Sequence, residues 1–98
     1  MYEAITEGPA LAEARYGHTA TLTFDGRVIL IGGTDGTNVH GRADVYSPHE
    51  AALGVTATDL AVARYDHAAV PLPQSELILV IGGRDASGDP LASVEIFD

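Results

Sequence analysis

The chain has 98 residues, 46% of them hydrophobic, with 14 acidic residues against five basic ones and a formal charge of −9. The apolar fraction is that of a globular chain, and the acidic excess argues against nucleic acid or an anionic membrane surface as partner. There is no cysteine, which excludes disulfides, thiolate metal sites and cysteine nucleophiles.

In chain order, Met1–Ile5 has neither the basic patch nor the apolar stretch of a signal peptide. Residues 3–7 read instead as a strand fragment. Leu11–His18 leads into a strand over His18–Phe24, where Thr and Ala alternate loosely. Asp25-Gly26 is a hairpin signal. Val28–Ile31 is a short apolar run, rich in β-branched residues and closed by Gly32-Gly33, which suits a strand buried on both faces. A polar loop, Thr34–Arg42, precedes a third strand, Ala43–Ser47. The turn Ser47–Glu50 then leads to a weaker fourth strand over Ala52–Thr56. The same order returns in the second half: Leu60–His67, a hairpin at Pro73–Glu76, the apolar run Leu77–Ile81, Gly82-Gly83, the loop Arg84–Ser93, and Val94–Asp98. No stretch has helical periodicity. The longest apolar run, Leu77–Ile81, falls far short of the ~20 residues of a membrane span. The expectation is a soluble chain, cytoplasmic if it is a whole product.

This return is an internal repeat. Arg15 lies over Arg64 at an offset of 49, Gly32-Gly33 over Gly82-Gly83 at 50, and Ala43–Ser47 over Val94–Asp98 at 51. The offset grows by one in the hairpin and by one in the loop after the glycines, places where insertion is cheap. Repeat 1 spans about 8–56 and repeat 2 about 57–98. Each is a unit of about fifty residues with four short strands.

The Arg-x-x-His starts (Arg15/His18 and Arg64/His67), the Gly-Gly pairs and the aromatic at the third strand's end (Tyr46 and Phe97) resemble the kelch repeat over nearly the whole chain. Leu53 departs from the pattern, which usually has Trp seven residues after the Tyr. The resemblance implies an all-β fold of two four-stranded antiparallel β-propeller blades, with Gly-Gly ending the second strand and Tyr46 and Phe97 packed between blades. Two blades do not make a propeller. The chain starts in a fourth-strand segment and stops after a third strand, so strand 1–7 of a neighbouring copy is expected to complete repeat 2. Three copies would then close a six-bladed ring by homotrimerisation with strand exchange at the termini. An excised or engineered propeller fragment is the alternative.

Arg15 and Arg64 head the innermost strands, and in the family this loop shares a binding face with the loop after Gly-Gly. Each Arg could hold a carboxylate or phosphate, or instead bond carbonyls or an Asp of the next blade. Tyr16, Tyr65, Asp35, Asn38, His40, Arg42, Arg84 and Asp85 complete the candidate contact set, for a protein or a small acidic ligand on the axial face. His18 and His67 could converge around a ring axis on a metal or anion, but are read as satisfied polar residues, so no metal and no cofactor is expected. Asp85-x-Ser87-x-Asp89 echoes a calcium loop without its bidentate Glu. Gly-Gly is followed by Thr34 and by Arg84, never by Lys-Ser/Thr, so it is no phosphate loop. With no nucleophile–base pair, the expected function is a non-catalytic binding or scaffold module. A sugar-processing or acidic-ligand-binding kelch enzyme with its site in the central channel is the alternative.

Overall fold

A computed structural model describes residues 11, 14–47, 52–55 and 59–97. Among these the chain is all-β, without a helix. Strands β1 (Thr19–Leu22), β2 (Val28–Ile31), β3 (Ala43–Ser47) and β4 (Ala52–Val55) form one antiparallel sheet in chain order. Strands β5 (Ala68–Pro71), β6 (Ile78–Ile81) and β7 (Val94–Phe97) form a second. The strand expected within residues 1–7, the turn residues 48–50 with His49, and Asp98 lie outside the described residues.

The repeat read from the sequence is a repeat of register. Thr19 pairs with Ile31 as Ala68 pairs with Ile81, and Ile31 pairs with Ala43 as Ile81 pairs with Val94. Both length differences sit in loops. The first hairpin closes through the Thr23 N–H on the Arg27 carbonyl (2.8 Å), with Gly26 at φ 89°. The second is one residue longer and closes through Leu72 and Leu77 (3.0 Å), which puts Gln74 in the left-handed region at φ 58°. At the other end Gly32 N–H reaches the Arg42 carbonyl, whereas Gly82 N–H reaches Ser93, one residue further on.

Successive strand residues point to opposite faces, so each sheet has two distinct faces. The first sheet turns Thr21, Ile29, Ile31 and Ala43 towards the second, which answers with Ile78 and Val80. Val45, Ala69, Leu60 and Phe97 pack around this core. Phe97 thus sits where an aromatic between repeats was expected. The sheets meet along β1 and β5. The remaining face of the second sheet is apolar and open: Val70 is 44% exposed, Val94 54% and Ile96 63%.

The first double glycine is required by close backbone approach. A Cβ on Gly33 would stand 2.9 Å from both the Tyr16 carbonyl and the His18 Cβ, within its own sheet. A Cβ on Gly32 would stand 2.5 Å from the Arg64 carbonyl and 2.8 Å from the His67 ring, which belong to the second sheet. Both have positive φ, 98° and 69°, which only glycine adopts freely.

Candidate functional site

All the candidate contact residues gather at one end of the two sheets, where the lead-in segments (14–18 and 63–67) meet the loops that follow the double glycines. Backbone pairing fixes this end. Tyr16 and Thr34 exchange two hydrogen bonds of 2.9 Å, and Tyr65 and Arg84 exchange two of 3.0 and 2.8 Å. Across the joint, Leu60 N–H donates to the Gly41 carbonyl (2.7 Å), Asp66 N–H to Gly17 (2.7 Å) and Gly33 N–H to Arg64 (2.9 Å).

The arginines turn inward. Arg15 donates to the Gly32 carbonyl (3.2 Å) and to Asp44 Oδ2 (2.9 Å), with both side chains fully buried. Arg64 is fully buried as well. It donates to the Gly82 carbonyl (3.0 Å), the Ser93 carbonyl and Oγ (3.1 and 3.0 Å), and Glu95 Oε2 (2.7 Å). Glu95 also accepts the N–H groups of Ala61 and Val62. Burial alone would raise the Glu95 carboxyl, but these two donors and the guanidinium hold it below the usual carboxylate range. Each Arg therefore ties its lead-in segment to its own sheet's β-ends. The carbonyl-and-acid alternative weighed from the sequence describes this, except that the acid belongs to the same sheet and not to the next. Neither guanidinium is presented to a ligand in this arrangement.

Asp44, Glu95 and Ser93 are the functional partners that sequence reasoning left unassigned. The signal was present, since acids recur at offset 51 beneath arginines that recur at offset 49. Thr19 was missed in the same way. Its hydroxyl pairs with His67 Nε2 at 2.9 Å, while His67 Nδ1 is buried without a hydrogen-bond partner among the described residues. Burial, then Arg64 and His18, hold His67 below the usual imidazole range, with Asp66 opposing them. Burial and Arg15 do the same to His18.

The loop residues divide by how much of their polarity the loops consume. Asp35 accepts the N–H groups of Asn38 and Thr37 (2.7 and 2.8 Å), which lowers its carboxyl. Asp85 likewise accepts from Ser87 and Asp89 (2.9 and 3.0 Å). These are side-chain-closed turns. Arg84 caps its own loop on the Gly88 carbonyl at 2.8 Å. His40 is buried, its N–H on the Gly33 carbonyl and its carbonyl receiving Arg64 N–H. Arg42 is half-buried, with Nε 3.9 Å from Asp44 Oδ1. Tyr16 remains 59% exposed and Tyr65 is half-buried. The Asn38 side of the first loop is exposed too.

The end thus presents aromatic rings and turn backbone on a tightly bonded frame. Among the described residues no three His, Asp or Glu come together as metal ligands. Neither protein-family models nor curated proteins give a match to the chain.

Proposed function

We propose that this chain is a pair of kelch-type propeller blades that joins head to tail with further copies of itself, three in all, into a closed six-bladed ring. The ring is a non-catalytic scaffold whose loop end, with Tyr16 exposed and Tyr65 half-buried, binds a partner. One observation carries the reading. The sheet face on which the first repeat buries Ile31 (0% exposed) and Ala43 (1%) is open in the second, where the matching residues Ile81 and Val94 are 38% and 54% exposed. The first repeat's opposite face, with Leu22 65% exposed, matches the face through which the second repeat packs. One chain therefore offers both halves of a joint it already makes internally, and leaves Val70, Ile81, Val94 and Ile96 exposed unless copies meet.

The channel-enzyme alternative draws no support from Arg15 and Arg64, whose guanidinium groups are buried in structural pairs.

Ile96→Asp tests the reading. On an isolated chain Ile96 is 63% exposed, and a surface substitution there would change stability by less than ~0.5 kcal/mol. In the ring it buries a charge in an apolar joint. The expected result is loss of assembly and a Tm that no longer rises with protein concentration. An unchanged native mass would contradict the proposal.

A further inference from the structure

We infer that the joint between copies is formed by the lead-in segment of one chain, Ala14–His18, seated on the Gly82–Gly83 end of the next. This reproduces the way Ala63–His67 seats on Gly32–Gly33 within the chain. The inference rests on the head-to-tail reading and gives that reading a partner surface and a polarity.

The argument is one of an occupied socket and an empty copy of it. Gly32 and Gly82 share a backbone conformation, φ 69° and 65°. Above Gly32 lie the Arg64 carbonyl and the His67 ring, so close that a Cβ would stand 2.5 and 2.8 Å from them. Above Gly82 the nearest atom to such a Cβ is the Leu91 carbonyl at 3.5 Å. Among the described residues no atom of a following sheet lies within 4 Å of that position. The neighbouring amide differs as well. Gly33 N–H bonds the Arg64 carbonyl at 2.9 Å, while Gly83 N–H has no corresponding bond among the described residues. The segment that fits is already in the chain. Arg15 and His18 match Arg64 and His67, and Arg15 is held in shape by the same kind of staple to its own sheet.

The open apolar face of the second sheet, with Ile81, Val94 and Ile96, runs out from this socket. A second copy seated there covers both at once. An isologous pairing of two open faces would cover the apolar residues but leave the Gly83 donor and the Gly82 socket unfilled. That favours the head-to-tail joint.

The internal joint also supplies the probe. A Cβ on Gly41 would stand 3.5 Å from the Ala63 Cβ, within the range of a disulfide, about 3.5–4.5 Å. The matching positions are Ala92 and Ala14, both exposed in the single chain. The chain has no cysteine of its own, so Ala14→Cys with Ala92→Cys gives an unambiguous read. Mild oxidation should link most chains into covalent dimers and trimers on non-reducing gels, the trimers closing into rings. Either substitution alone should give no trimer.

If the double variant keeps an oligomeric native mass but forms no trimer, this joint is wrong while the assembly reading stands. If the wild-type chain has the mass of one chain at every concentration, both fall. A measurement on the wild type does not depend on the variant folding. In the oligomer the Gly83 amide should exchange its hydrogen as slowly as the Gly33 amide, and exchange at the rate of an exposed amide would overturn the joint.

Discussion

At the scale of single residues, the two arginines decide what the loop end can do. Arg64 makes hydrogen bonds to three carbonyls, one hydroxyl and one carboxylate from a fully buried position. Removing it takes the guanidinium from the Gly82 and Ser93 carbonyls and from Glu95, which keeps only the Ala61 and Val62 N–H groups, and breaking a buried pair in this way costs about 3–5 kcal/mol. Against a typical stability of ~5–15 kcal/mol, Arg64→Ala should unfold the chain at much lower urea, or leave it unfolded outright. Arg27, which links the exposed Asp25 and Glu76, provides the contrast, and Arg27→Ala should leave the urea midpoint nearly unchanged. A midpoint in Arg64→Ala equal to that of Arg27→Ala would refute the structural role. The sequence showed both arginines and both acids recurring, but not that each pair closes within one sheet. That depends on where side chains point at a strand end, which no periodicity encodes.

Among the elements, the joint between the sheets is the part most sensitive to conditions. His67 is its polar centre, fixed through Nε2 to Thr19 and without an Nδ1 partner among the described residues. A proton on Nδ1 would add a buried donor without an acceptor, beside Arg64. The folded-state pKa of His67 lies below its ordinary value of 6.5, chiefly through burial. The unfolded chain therefore binds the proton first, and the histidine's contribution is complete above about pH 6.5 and lost as pH falls through the lower folded value. Urea midpoints should drop between pH 7.5 and 5.5, and His67→Gln should remove part of that drop. An identical pH profile in the variant would rule His67 out as the cause.

Strand positions were legible because apolar runs ended by Gly-Gly and hairpin signals such as Asp25-Gly26 are local. The Thr19–His67 contact was not, since it joins residues 48 apart through the packing of two sheets. The candidate loop residues lie together at one end of the sheets, but the sequence could not show that Asp35 and Asp85 spend their carboxylates on their own turns.

For the whole molecule, the proposed joint between copies lacks one bond that the internal joint has. Ala68 stands where Thr19 stands in the first sheet, so a seated His18 finds no hydroxyl. The ring should therefore open at its inter-chain joints on dilution, well before either sheet unfolds. Closure is what separates a ring from a filament, because a head-to-tail contact that does not close grows without limit. The most direct test is the native mass by light scattering behind a sizing column, across a dilution series of the wild-type chain. The ring predicts a plateau at three times the 10.2 kDa chain mass, about 31 kDa, that gives way to single chains only at low concentration. A mass of 10.2 kDa throughout, or one that climbs steadily with concentration, would contradict it.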